Sequence, residues 1–118
     1  MSIPYVGVVD DDEELCLSLV DLVRSMGYRA EPFDRAESLL DFGDRSKFGC
    51  IIVDICMPGM GGISLIRRLE AEGNEIPLIV MTGSPIGKIA LSIERFQYLR
   101  KPFRAGELLS CIERSLRG

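Results

Sequence analysis

The chain has 118 residues, enough for one domain with a substantial hydrophobic core, and 47% of its residues are apolar. Its net charge is −4 and its Lys and Arg residues are scattered, which argues against a nucleic-acid surface. The chain contains no histidine, which excludes Ser-His-Asp and Cys-His catalysis and any His-ligated metal site.

Apolar runs of strand length alternate with stretches of helical apolar spacing along the whole chain. In chain order, this pattern predicts a strand at Tyr5–Val9, a helix from Leu15 to Met26, a strand at Arg29–Phe33, a helix from Asp34 to Phe42, a strand at Cys50–Val53, a helix from Ile63 to Leu69, a strand at Ile76–Met81, a short helix at about Gly87–Ile93, a strand at Gln97–Leu99 and a helix from Glu107 to Leu116.

Local signals indicate where some of these elements begin and end. Asp34 is followed three residues later by Glu37, which predicts a capping box at the start of the second helix. Gly27 ends the first helix. The Pro and Gly content of Met57–Gly59 and Gly61–Gly62 predicts a loop after the third strand.

The predicted strands Tyr5–Val9, Cys50–Val53 and Ile76–Met81 are continuously apolar rather than alternately apolar and polar. Continuous apolar strands are buried on both faces, as in a parallel sheet between two helix layers. We therefore predict an α/β fold, a flavodoxin-like (βα)5 three-layer sandwich with parallel sheet order 2-1-3-4-5, and one domain over residues 1–118.

Polar residues of particular types follow four of the predicted strands: Asp10 with Asp11, Asp54, Thr82 and Lys101. In an open α/β sheet, ligands bind beyond the carboxyl ends of the strands, where the strand order reverses. In the predicted order this point lies between strands one and three, which deliver the three acids. We expect strands four and five to bring the threonine and the lysine to the same site.

This set of residue types is suited to phosphoryl chemistry. Three carboxylates form an oxygen-rich site for a hard divalent cation, Mg²⁺ or Mn²⁺. An aspartate can act as a phosphoryl-accepting nucleophile, a lysine can pair with phosphate oxygens, and a threonine hydroxyl can donate a hydrogen bond to them. Each residue alone would be typical of a helix cap, a turn or a solvated surface, with Asp11 or Asp12 as a cap. Their coincidence at four strand ends favours the site.

At these positions the sequence resembles the response-regulator receiver family of two-component signalling, of which the chemotaxis receivers are members. The matching segments are Val8–Asp11, Ile51–Asp54 with Met57–Gly59, Val80–Gly83 and Tyr98–Phe103. The resemblance covers essentially the whole chain. It implies a phosphoacceptor domain rather than an enzyme, with at most slow self-dephosphorylation.

The resemblance also implies a role for each site residue. Asp54 would accept a phosphoryl group from a partner's phosphohistidine, and Lys101 would pair with the resulting acyl phosphate. Thr82 would move to bond the phosphoryl group, and Tyr98 would then rotate inward. The Lys101–Pro102 bond is expected to be cis.

The metal ligands are implied in the same way. Asp10, Asp11 and Asp54 would hold Mg²⁺ together with the backbone carbonyl of Cys56. No cofactor other than the metal is expected.

Departures from the family pattern affect the expected output surface and the expected lifetime of the phosphoryl group. Lys101 follows Thr82 by only 19 positions, which implies a shortened fourth helix between strands four and five. Cys56 and Ser84 occupy the two positions that flank the phosphoryl group. With the altered helix, dimerisation on phosphorylation and the usual partner surface stay open.

The expected partners are a histidine kinase or phosphotransfer protein and a downstream effector domain or protein, with no direct nucleic-acid binding by this chain. We expect no signal peptide, no apolar run is long enough to cross a membrane, and the four cysteines have no metal or redox spacing. We therefore expect a cytoplasmic protein.

Two other functions remain open at this point. The first is a degenerate receiver that binds a protein partner without being phosphorylated. The second is a haloacid-dehalogenase-like phosphatase, with Asp10 as nucleophile and Asp12 as acid/base. Against the phosphatase, Glu14 stands where a small residue is expected, and the chain has no room for a cap module.

Overall fold

The structure is a computed structural model, and it describes residues 3–55, 61–83 and 96–117. Within these ranges the elements follow one another as β1 (Tyr5–Val9), α1 (Glu13–Ser25), β2 (Arg29–Phe33), α2 (Ala36–Leu40), a 3₁₀ turn (Arg45–Lys47), β3 (Phe48–Asp54), α3 (Gly61–Ala71), β4 (Leu78–Thr82), β5 (Phe96–Arg100) and α4 (Ala105–Arg117).

The five strands form one sheet in the order β2-β1-β3-β4-β5, and every pairing is parallel. This confirms the predicted flavodoxin-like fold and strand order. The register pairs Val9 of β1 with Val53 of β3, and Asp54 of β3 with Met81 of β4. The carboxyl ends of the three central strands therefore lie side by side.

Buried apolar side chains form one cluster on each face of the sheet. The α1/α4 core includes Val8, Leu19, Ile52, Leu99 and Leu108. The other cluster, the α2/α3 core, includes Val9, Leu39, Ile51, Leu65 and Val80. Successive residues of a strand belong to opposite clusters, as expected when strand side chains alternate between the two faces of a sheet that is covered on both sides.

Helix α1 begins at Glu13, two residues before the predicted Leu15, and ends at Ser25, just before the predicted stop at Gly27. Asp12 is the N-cap, and its Oδ1 accepts a hydrogen bond of 3.2 Å from the Leu15 amide. Glu13 and Glu14 lie in the first turn, where the helix dipole favours acids. Gly27 follows the C-cap with φ +96°, a conformation that glycine adopts without steric cost.

Two boundary predictions are wrong. The N-cap of α2 is Arg35, which makes no side-chain cap hydrogen bond, so Asp34 and Glu37 do not form a capping box. The Asp34 carboxylate instead accepts from the Ser38 hydroxyl at 3.4 Å. Gly61–Gly62 does not belong to a loop, because α3 begins at Gly61.

The third to fifth strands are each displaced or extended by one or two residues from the predicted ranges, as is usual for element ends. The apolar spacing of α4 predicts that Leu108, Leu109, Ile112 and Leu116 face inward. Leu108 and Ile112 are buried, whereas Leu109 and Leu116 are only partly buried and Cys111 is buried as well. The predicted short helix at about 87–93 and the Met57–Gly59 loop lie outside the described residues. No helix in the described ranges is long and apolar enough to span a bilayer.

Candidate functional site

Four strand ends bring the predicted polar residues to one edge of the sheet. Asp10 directly follows β1, Asp54 is the last residue of β3, and Thr82 is the last residue of β4. Lys101 directly follows β5, and its amide donates a 2.8 Å hydrogen bond to the carbonyl oxygen of Thr82. The parallel register thus places all four residues at the edge where the strand order reverses.

Three of the carboxylates form a compact acidic cluster. Asp10, Asp11 and Asp54 each offer one oxygen atom, and these atoms lie within 4.8 Å of one another. Asp10 and Asp54 are buried, whereas Asp11 is exposed to solvent. The cluster therefore opens to solvent on the side of Asp11.

Asp10 is the most deeply buried acid of the cluster, with an exposed fraction of 0%. Its Oδ1 accepts a 3.0 Å hydrogen bond from the Asp12 amide. Its Oδ2 is also buried and has no hydrogen-bond partner; the Lys101 ammonium lies 3.9 Å away. Burial raises the pKa of Asp10, and the neighbouring Asp54 charge adds to this rise, while the Asp12 amide opposes it.

Lys101 is the cation of the site. Its Nζ donates a 2.9 Å hydrogen bond to Oδ2 of Asp54, which is also an ion pair. The Lys101–Pro102 peptide bond is cis, which confirms the expectation from the resemblance. The ammonium thus lies between two buried carboxylates and contacts Asp54 more closely than Asp10.

The donor set fits a hard divalent cation. Carboxylate oxygens are the ligands that Mg²⁺ prefers, and three of them converge here. The buried Oδ2 of Asp10, which lacks a hydrogen-bond donor, is an acceptor that a cation could satisfy. The predicted fourth ligand, the carbonyl of Cys56, lies outside the described residues, as does Ser84.

The two predicted switch residues lie on neighbouring strands. Thr82 is fully buried, and Tyr98 is half-buried against the α2/α3 core. The register pairs Val80 with Tyr98 and Thr82 with Arg100. Tyr98 is therefore level with the middle of β4, two register positions before the end that carries Thr82.

The sequence reading missed the importance of Gly62. A Cβ atom at this position would overlap the backbone of Asp54 and Ile55. The first turn of α3 can therefore approach the end of β3 this closely only because residue 62 has no side chain. The Gly-Gly pair is the available signal, although its composition alone predicts a loop.

Gln97 was also missed. It is a polar residue at an inward position of β5, and its amide bonds to helix α4. The available signal was its alternation with Leu99, which places both residues on one face of the strand.

The geometry agrees with what comparison with known proteins shows. The family profile described as response regulator receiver domain matches residues 6–113. The chain is 34% identical over 116 residues to the transcriptional regulatory protein FixJ of Bradyrhizobium diazoefficiens, covering 96% of this chain and 57% of FixJ. It is 36% identical over 115 residues to the response regulator protein TodT of Pseudomonas putida, covering 95% of this chain and 51% of TodT.

Solved structures show the same likeness. The response regulator StyR superposes with a TM-score of 0.86 at 35% identity, over 98% of this chain and 60% of StyR. The structure of FixJ-N superposes with a TM-score of 0.86 at 30% identity, over 99% of this chain and 96% of FixJ-N.

The chain belongs to the response regulator receiver domain family. Receiver domains are signalling domains of two-component systems rather than classical enzymes. The chain spans about half the length of the curated relatives it matches.

Proposed function

We propose that Asp54 accepts a phosphoryl group from a phosphohistidine of a histidine kinase or phosphotransfer protein. A carboxylate oxygen of Asp54 forms a bond to phosphorus while the bond between phosphorus and the imidazole nitrogen breaks, and the imidazole keeps the electron pair. The observation that carries this proposal is the position of Asp54, at the edge of the acidic cluster and 2.9 Å from the Lys101 ammonium.

Lys101 and Thr82 are proposed to stabilise the product. Phosphorylation would turn the Asp54 carboxylate into an acyl phosphate, whose additional negative charge the Lys101 ammonium can balance. The Thr82 hydroxyl ends the neighbouring strand and can donate one hydrogen bond to a phosphoryl oxygen.

The acidic cluster is proposed to hold Mg²⁺ or Mn²⁺ through Asp10, Asp11 and Asp54, with the carbonyl of Cys56 as a further ligand. When bound, the cation would screen the repulsion between the acids and neutralise charge on the phosphoryl oxygens. The structural support is the convergence of three carboxylate oxygens and the buried, unpartnered Oδ2 of Asp10.

Phosphorylation is proposed to shift the population between two conformations of the domain. Thr82 would move toward the phosphoryl group, and Tyr98 would rotate inward beside it. A local change of charge at Asp54 can bias such an equilibrium if one conformation binds the phosphoryl group better.

The output is proposed to reach an effector domain or a separate effector protein, without direct nucleic-acid binding by this chain. Two similar proteins are named as a transcriptional regulatory protein and a response regulator. We therefore propose that this domain regulates transcription, from the cytoplasm, as one domain over residues 1–118. Its own chemistry is limited to slow loss of the phosphoryl group.

Labelling with [³²P]acetyl phosphate tests the proposal. The wild type and Asp21→Asn, which changes an exposed acid on α1 with the same change in charge, should incorporate label in the presence of Mg²⁺. Asp54→Asn should not. Asp10→Ala should weaken the labelling without moving it, whereas a phosphatase with Asp10 as nucleophile would lose its label in Asp10→Ala and keep it in Asp54→Asn.

The degenerate receiver needs a second measurement. Beryllofluoride with Mg²⁺ should shift the backbone NMR signals near Thr82 and Tyr98 in a working switch. An unchanged spectrum together with absent labelling would favour a binding module that is not phosphorylated.

A further inference from the structure

The position of Lys101 depends on strand β5. Lys101 is the residue directly after β5, and β5 is an edge strand that pairs only with β4 in the described sheet. An edge strand is held by backbone hydrogen bonds on one side only, and here they run as far as the Lys101 amide, which donates to the Thr82 carbonyl at 2.8 Å. Further support must come from the elements that pack on the faces of the strand. Contacts between β5 and the helix that covers it are therefore relevant to the site.

The face of β5 that points toward α4 carries two different kinds of side chain. Leu99 is buried in the α1/α4 core, and Gln97 lies two residues before it on the same face. Phe96 and Tyr98 pack on the opposite face, against the α2/α3 core. Since apolar contact is not directional, Leu99 holds the strand against α4 without fixing its position along the helix.

Gln97 supplies the directional contact. Its Nε2 donates one hydrogen bond to the carbonyl oxygen of Cys111 and a second to the hydroxyl of Ser115, each 2.7 Å long. The two acceptors are four residues apart in α4, one helical turn. One amide nitrogen is thus fixed against two points on the helix.

This contact is partly buried. Ser115 is one of four buried polar side chains in the described residues, and the other three (Asp10, Asp54 and Thr82) form the candidate site itself. A buried side-chain oxygen that accepts no hydrogen bond costs free energy of folding. Oε1 of Gln97 is such an atom, because it is buried and has no hydrogen-bond partner. An apolar side chain of the same shape would avoid that cost, so the distinctive contribution of the glutamine is direction rather than stability.

We propose that Gln97 is a positioning residue for Lys101. Together with the hydrogen bond from the Lys101 amide to Thr82, its two hydrogen bonds to α4 hold the backbone of residue 101 where the ammonium can reach Asp54 at 2.9 Å. The consequence for phosphorylation rests on the proposed function, whereas the effect on the ion pair between Lys101 and Asp54 does not.

Gln97→Met is the direct test, because it keeps the length and packing of the side chain and removes both donors. The rate of [³²P]acetyl phosphate labelling at saturating Mg²⁺ should fall by roughly tenfold, since small displacements of a charge-stabilising group cost large factors in rate. The affinity for Mg²⁺, measured separately, should not weaken, because no proposed metal ligand lies on β5. Ser115→Ala, which removes one acceptor, should give a smaller fall.

Asn74→Ala is the matched control. Asn74 is also a half-buried amide, and it donates to the backbone carbonyl of Ile76 at 2.9 Å. It precedes β4, so it lies near the amino ends of the strands, whereas the site lies at their carboxyl ends. It should lower stability to urea without lowering the labelling rate. An equal loss of rate in Asn74→Ala and Gln97→Met would overturn the proposal in favour of a general effect on folding.

The Lys101→Ala background separates positioning from structure. If Gln97 acts through Lys101, adding Gln97→Met to Lys101→Ala should lower the labelling rate no further. A further loss of the same size as in the wild-type background would contradict the proposal, as would an unchanged rate in the single variant.

A readout that does not need phosphorylation keeps this inference distinct from the proposed function. In metal-free protein, the NMR signal of the Lys101 side-chain NH₃⁺ group should be protected from exchange by the ion pair, and Gln97→Met should abolish this protection while Asn74→Ala keeps it. Protection that survives in Gln97→Met overturns the positioning role even if labelling fails altogether. If the wild type is not labelled but Gln97→Met loses the protection of the Lys101 NH₃⁺ group, the positioning role stands and the proposed function is refuted.

Discussion

Asp10→Asn should stabilise the metal-free domain. Asp10 is fully buried, and only one of its two carboxylate oxygens accepts a hydrogen bond, from the Asp12 amide. An asparagine keeps that acceptor and replaces the buried, unpartnered Oδ2 with an NH₂ group that can donate to the neighbouring carboxylates. The substitution therefore removes a buried charge while it preserves the turn into α1.

The magnitude follows from the charges around Asp10. At an effective dielectric constant of about 20, the Asp54 carboxylate, within 4.8 Å, repels it by at least about 3.5 kcal/mol, and the Lys101 ammonium, at 3.9 Å, attracts it by about 4 kcal/mol. These two terms nearly cancel, and Asp11 is screened by solvent. The cost of burying an unpartnered charged oxygen remains, and we expect it to be about 1–3 kcal/mol.

The pH dependence has the same physical cause and therefore the same sign. Burial raises the pKa of Asp10, so the folded protein disfavours the charged form relative to the unfolded chain. The stability lost by burying the ionised Asp10 carboxylate is zero below the pKa of the unfolded chain, about 4. This loss grows as the pH rises and is complete above the pKa of Asp10 in the folded protein. The advantage of Asp10→Asn should therefore be present at pH 7 and disappear in acid.

Urea unfolding without divalent cations is the assay. A gain of this size should raise the midpoint at pH 7 by about 1 M, given slopes of about 1–3 kcal/mol per M for small domains. Asp21→Asn, on the exposed surface of α1, controls for the change in net charge and should leave the midpoint nearly unchanged. An Asp10→Asn protein that is no more stable than the wild type, or whose advantage persists at pH 3, would refute this account of the buried carboxylate.

Two further predictions concern contacts outside the acidic cluster. Glu72 accepts hydrogen bonds from Arg45 at 2.6 Å and Arg68 at 3.1 Å, and the bond from Arg45 is the main cause of its lowered pKa. The Glu72→Gln protein should therefore be less stable than the wild type at pH 7. This difference in stability should disappear as the pH falls below about 4, because the wild-type carboxylate then becomes protonated and uncharged as well. Gly62→Ala should destabilise the domain by about 1–3 kcal/mol, because the added methyl group overlaps the backbone of Asp54. Urea unfolding measures the stability of both the Glu72→Gln and the Gly62→Ala proteins. A Gly62→Ala protein of wild-type stability would show that α3 and β3 do not pack this closely.

Much of the fold could be predicted because its signals are local. Continuous apolar strands such as Tyr5–Val9 are typical of a sheet that is covered on both faces, and the residues that follow them define one edge. The strand-end positions of Asp10, Asp54, Thr82 and Lys101 follow from this alternation and from the parallel sheet.

What could not be predicted depends on contacts between distant segments. The sequence around Asp34 has the residue types of a capping box, but α2 begins two residues later, with Arg35 as its N-cap. Gly62 belongs to α3 because the backbone of β3 leaves no room for a Cβ atom, which no local pattern reveals. Gln97 bonds to residues of α4 that lie 14 and 18 positions further along the chain.

The central claim is that the phosphoryl group is attached to Asp54, and chemical mapping of the bond tests it most directly. Borohydride reduces an aspartyl phosphate to homoserine, which mass spectrometry of the digested protein locates by residue. After treatment with acetyl phosphate and Mg²⁺, we expect homoserine at position 54 and at no other aspartate. Homoserine at position 10 or 11 with none at 54 would contradict the account.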